Sequence, residues 1–170
     1  SHVVYDPISS DSALNAFEQE YGIRALPDYD FSKVKNIISL DADILGDWQG
    51  GGYEAGYSKG RIPNKNNSNN NYSMSWHIQL ESNMSLSGAN ADKRVPLKPS
   101  ELKNILFKLY SKLSNQKTSI SLSIEHENLL DQILNKIKKS PSNSVVVSGI
   151  EDDFSQRLVL AINSILKSNA

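Results

Sequence analysis

Cysteine is absent from the 170 residues, which excludes a thiolate-ligated iron–sulfur cluster, a cysteine-type zinc site and any disulfide within this chain. An excess of one charge is also missing. Lys and Arg number 18 against 19 Asp and Glu, a formal net charge of −1, so the balance shows no footprint for nucleic acid or an anionic bilayer. No apolar run approaches the ~20 residues that cross a membrane, and no secretory leader is visible. Histidine is scarce, with only His2, His77 and His126. No His-x-x-x-His or Glu-x-x-His spacing puts two ligands on one helix face, so no metal site is expected. His77 reads as a buried or strand-edge side chain, and His126, between Glu125 and Glu127, as a solvated one rather than a proton carrier.

A chain of this length buries roughly 70% of its unfolded surface around one core. Residues 1–170 are therefore expected to form a single α/β domain, excised from a longer protein, with Ser1-His2 as a tag remnant. Short apolar runs alternate with amphipathic stretches. Strands are expected over 3–5, 35–40, 76–80 and 144–149; in the second, Ile37, Ile38 and Leu40 follow each other as in a strand buried on both faces. Helices are expected from Asp11 or Ser12 to Gly22, over 53–59, over 100–113 and over 125–139. A last helix, capped by Asp152 or Asp153, is expected to turn Phe154, Leu158, Ala161, Ile162 and Ile165 to the sheet. Strands separated by helices of this length predict parallel βαβ units. Residues 64–71, Asn-Lys-Asn-Asn-Ser-Asn-Asn-Asn, have no core-forming side chain, and 60–75 reads as an Asn-rich flexible loop.

Two short stretches could carry chemistry. Gly50-Gly51-Gly52 lacks the following Lys and hydroxyl of a phosphate loop and reads as a flexible turn. Asp41, Asp43 and Asp47 could bind a hard cation at a strand end, but turn chemistry, with carboxylates bonding local amides, is the favoured reading. Trp48 either closes that turn over the core or, with Tyr53 and Tyr57, forms an exposed anchor for a neighbouring subunit.

The most specific stretch is 80–102, Leu-Glu-Ser-Asn-Met-Ser-Leu-Ser-Gly-Ala-Asn-Ala-Asp-Lys-Arg-Val-Pro-Leu-Lys-Pro-Ser-Glu-Leu. A strand ending in Glu81 leads through Ser85 to Ser87 to Ala91-Asp92, then Pro96-Leu97-Lys98-Pro99 and a helix. That order resembles the molybdopterin oxidoreductase superfamily. Together with Leu40-Asp-Ala-Asp-Ile-Leu-Gly-Asp-Trp48, it is most similar to the large iron–sulfur subunit of alternative complex III, a quinol:electron acceptor oxidoreductase. The resemblance implies an α/β fold, three-layer and Rossmann-like, with a mostly parallel sheet flanked by helices. It also implies a parent protein whose iron–sulfur clusters lie elsewhere in the chain, on the periplasmic side of a bacterial inner membrane. The implied partners are other domains of that parent and respiratory-complex subunits, without nucleic acid or direct membrane insertion.

By the same resemblance, Asp41, Asp43, Glu81, Ser82, Asp92 and Glu101 occupy the positions of a pocket for molybdopterin guanine dinucleotide. Two departures bear on that pocket. Asp41 stands where the enzymes place a Gly, and Asp43 where they place an amide, so two negative charges occupy space a phosphate needs. The enzymes' Pro-Gly-Thr-Asp becomes Pro99-Ser-Glu-Leu102, and Glu101 points roughly 100° around the helix from the missing carboxylate. The expectation is a vestigial pocket with no cofactor, no catalytic residue and a scaffolding role. The alternatives are a working part of the dinucleotide pocket, with Glu81 or Glu101 reading guanine, and an unrelated α/β binding module.

Overall fold

Runs of β-branched and apolar residues become four strands, and the segments between them become the layers on either side. The computed structural model describes residues 2–3, 9–65 and 72–170. In chain order these are α1 (Asp11–Tyr21), β1 (Asn36–Leu40), α2 (Glu54–Arg61), β2 (Asn64–Lys65), β3 (Tyr72–Ser73), β4 (Trp76–Glu81), α3 (Leu86–Asn90), β5 (Lys93–Pro96), α4 (Pro99–Ser114), α5 (Ile124–Lys139), β6 (Ser144–Ser148) and α6 (Asp153–Leu166). The main sheet runs β5-β4-β1-β6, every neighbour parallel. It is an α/β, three-layer, Rossmann-like fold.

Strand period assigns the two faces. Ile38 and Leu40 of β1, Ile78 and Leu80 of β4 and Val146 of β6 meet the apolar stripes of α4, α5 and α6, among them Leu102, Ile105, Leu130, Ile133, Leu158 and Ile162. Ile37, Val145 and Val147 point the other way, onto Phe31, Val34, Ile44, Tyr53 and Tyr57. Burying each of these side chains contributes about 1.5–3 kcal/mol, so the layers hold by apolar area from both sides. α1 rests on α6 through buried Ala13 and Ala16 and stops at Gly22, whose φ of 74° suits the left-handed cap.

The free edge of β6 is closed by a side chain. Asn163 of α6 accepts from Val146 N–H at 2.9 Å and donates to Val146 C=O at 2.8 Å, standing in for a further strand. The other edge strand, β5, is not among the strands the sequence announces. Lys93-Arg-Val-Pro96 is short, basic and ends in proline, features that weaken a strand pattern and that edge strands tolerate.

Three further differences from the sequence reading have physical causes. The buried stripe of α6 is Leu158, Val159, Ile162 and Leu166, while Phe154 and Ile165 are 51% and 43% exposed; the helix is rotated by about one position. Phe154 stacks instead on Phe107, centroids 5.0 Å apart. The supposed loop over 60–75 begins inside α2, and β2 and β3 close it with an antiparallel ladder. The strand expected over 3–5 falls, except for Val3, outside the described residues, as does the Asn-rich centre, 66–71.

Candidate functional site

A parallel sheet delivers the carboxyl ends of all its strands to one edge, and ligands of open α/β sheets gather where successive connections leave in opposite directions. Here the chain passes from β1 to β4 and β5 on one side, then returns to β6 on the other. The switch point therefore lies between β1 and β6. A cleft of about 280 Å³ opens there, lined by Asp41, Asp43, Asp47, Trp48, Ser148 and Gly149 among others.

Asp41 and Asp43 follow β1 and are held by a loop far away in sequence. Asp41 follows β1 directly and takes a left-handed φ of 60°, which turns its side chain sideways toward the end of β4. Its oxygens accept from Ser82 N–H at 3.0 Å and Ser82 Oγ at 3.2 Å. Asp43 accepts from Ser87 N–H at 2.9 Å and Ser87 Oγ at 2.7 Å, and Ser87 Oγ in turn accepts from Leu45 N–H. Asp47 is exposed. Turn chemistry is present, but its amides are 41 and 44 residues distant rather than local.

Glu81 ends β4 with 1% of its surface exposed. Arg94 Nε of β5 donates to it, as do Ser85 Oγ at 2.5 Å and Ser85 N–H at 3.3 Å. Burial pushes its carboxyl up, and the bonds from Ser85 and Arg94 outweigh that and leave it below the ordinary carboxylate value. Gly88 lies against this carboxylate with no room for a Cβ.

The remaining two residues of the sequence-derived set lie elsewhere. Asp92 is at the amino edge of the sheet, where it takes Arg61 Nη1 at 2.5 Å, Arg61 Nη2 at 3.0 Å and His77 N–H at 2.7 Å. Glu101 closes the first turn of α4, accepting from Lys98 N–H at 2.9 Å. Asp41, Asp43, Glu81 and Ser82 thus come together at the strand ends, and Asp92 and Glu101 do not join them.

Trp48 closes the turn. Its Nε1–H donates to Ser148 C=O at 3.2 Å and its ring stacks near Tyr29 and Tyr53. Tyr53 and Tyr57 are only 8% and 5% exposed, which removes the exposed aromatic anchor expected around these three residues. Gly50, Gly51 and Gly52 all have positive φ, between 74° and 92°, as a glycine turn requires.

Sequence reasoning missed a polar row buried under α2. His77, Gln79 and Glu81 alternate with Ile78 and Leu80 along β4, a pattern normally read as a half-solvated strand. His77 lies in an interior strand and is fully buried, the first of the two readings given for it. Its ring nitrogens face Tyr57 Oη and Gln79 Oε1, both at 3.1 Å, and Gln79 Nε2 donates to Ala42 C=O at 3.1 Å. The bonds run consistently in one direction when Tyr57 donates to Nδ1 and Nε2–H donates to Gln79, which assigns the tautomer. The row ties α2 and β4 to the turn after β1.

Burial pushes the His77 imidazole down to about 4, partly offset by the Gln79 bond. The unfolded chain therefore takes up this proton near pH 6.5, and the folded chain only near pH 4. Stability from this group is complete above the unfolded value and falls as the pH drops through that window, by about 3 kcal/mol in all. Urea titrations between pH 7 and 4 should show that loss in the wild type, and a flatter profile in His77→Gln. Equal slopes in the two proteins would contradict the assignment.

Compared with protein-family models and with curated proteins, the chain matches none. Among the described residues, no group of three or more His, Cys, Asp and Glu is arranged to hold a metal ion, and no helix is long and apolar enough to cross a membrane.

Proposed function

We propose that this chain is a molybdopterin-oxidoreductase-like domain of the large iron–sulfur subunit of a respiratory quinol-oxidising complex, and that it acts as a noncatalytic scaffold. Electrons would pass from quinol through clusters elsewhere in the parent chain, on the periplasmic side of a bacterial inner membrane. This domain would hold cluster-bearing and membrane neighbours in place.

The observation that carries the reading is the commitment of Asp41, Asp43 and Glu81 to the chain's own loop at the edge where such folds bind a ligand. A dinucleotide diphosphate needs N–H donors and cations at that edge. Among the described residues, the cleft's lining instead includes Asp41, Asp43, Asp47 and Glu151 and neither Lys nor Arg. At about 280 Å³ the cleft lies at the small end of ordinary ligand pockets, which span roughly 300–1,000 Å³, and a pterin dinucleotide exceeds it. The residues present do not fit molybdopterin guanine dinucleotide, so no reaction step is assigned to it.

The test is Asp41→Asn with Asp43→Asn in the full-length protein within its complex. Each amide keeps an acceptor oxygen for Ser82 or Ser87, so the complex should assemble and oxidise quinol as the wild type does. An assembled complex that has lost turnover would show that the carboxylates serve the reaction, and would overturn the scaffold reading.

A further inference from the structure

At the edge of the sheet opposite the cleft, where β4 and β5 begin and α5 ends, lies a separate groove of about 440 Å³. The partly buried indole of Trp76 forms part of its surface, and Lys136 Nζ stands 4.9 Å from the ring centroid. Lys93 donates to Gln132 at 2.7 Å on one side, and Lys139 lies on the other. Among the described residues, the groove's one carboxylate is Asp92, which is taken up by Arg61 and by His77 N–H. Among the described residues, none of the three lysines pairs with an acid, whereas Lys33, Lys103, Lys108 and Lys112 each do.

Complementing the α5 dipole accounts for lysines in its last turn. It does not account for Lys93, which comes from β5, nor for a tryptophan beside them. Three unpaired ammonium groups around an indole form a basic, aromatic concavity of the kind that takes carboxylates with an apolar side chain between them. A bilayer plane would meet the exposed lysine tips but not the partly buried ring. A nucleic acid strand needs a longer basic track than three lysines on a chain of net charge −1.

We propose that this groove docks an acidic, extended segment of a partner protein, with its carboxylates on Lys93, Lys136 and Lys139 and an apolar side chain on Trp76. The site is independent of the strand-end cleft and of the scaffold reading.

Fluorescence titration with a short Glu-rich peptide containing one Phe, at low salt, tests it. The indole emission should change saturably. Lys136→Gln with Lys139→Gln should weaken binding about tenfold or more, while Lys138→Gln, in the same turn but outside the groove, should leave it unchanged. Trp76→Phe removes the reporter and identifies which of the two tryptophans responds. Equal weakening by all the lysine changes would show a general charge effect and overturn the proposal. So would the absence of binding, or equal competition by oligonucleotide or by phosphatidylserine vesicles.

Discussion

Gly149→Ala is expected to destabilise the domain by about 4 kcal/mol or more, through overlap that nothing nearby can relieve. Gly149 follows β6 and donates its N–H to Leu40 C=O at 2.9 Å. A Cβ at this position would meet the backbone carbonyl of Asp41 and then the amide of Ala42. Both belong to the turn that Asp41 holds in left-handed geometry, so moving them breaks the bonds to Ser82 as well. At about 2–4 °C per kcal/mol for a domain of this size, thermal unfolding should drop by roughly 8–16 °C. A variant melting with the wild type would mean that the tips of β1 and β6 have room between them.

Asn163→Ala should cost about 4 kcal/mol for a different reason. It leaves Val146 with an unpaired N–H and an unpaired C=O, both inside the protein, and each orphan group costs about 1–3 kcal/mol. Loss of packing adds to this. The local readout is hydrogen exchange at the Val146 amide, which should accelerate more than those of its β1-facing neighbours Val145 and Val147. Asn163→Asp separates the two bonds, because it keeps an acceptor for the N–H and puts a carboxylate oxygen against the carbonyl. It should be destabilised too, with the Val146 amide still protected. Unchanged exchange in Asn163→Ala would show that water or another group serves the edge.

These two positions also mark where the sequence stops being readable. Ile37, Ile38 and Leu40 announce a strand buried on both faces, and Leu102, Ile105, Leu106 and Leu109 announce the inner face of α4, because period and polarity are local properties. Gly149 looks like an ordinary turn residue, since the carbonyl it must avoid belongs to the turn after β1, over a hundred positions earlier. Asn163 looks like a polar helix residue, since nothing local says that a strand edge lies beneath it. The candidate site divides in the same way. Asp41, Asp43 and Glu81 stand out as acids at strand ends, but their bonds to Ser82, Ser87 and Arg94 exist only once β1, β4 and β5 lie side by side. His77 and Gln79 give a polar alternation along β4, and the bonds they form exist only once α2 covers that face of the sheet.

At the strand-end edge the chain's own serines and Arg94 hold Asp41, Asp43 and Glu81 through internal hydrogen bonds.

The most direct measurement is the pterin content of the full-length protein, purified in its complex, denatured, oxidised and read by fluorescence alongside elemental analysis for molybdenum and iron. The account predicts iron without molybdenum and without pterin. A stoichiometric pyranopterin nucleotide released from the intact protein would contradict it.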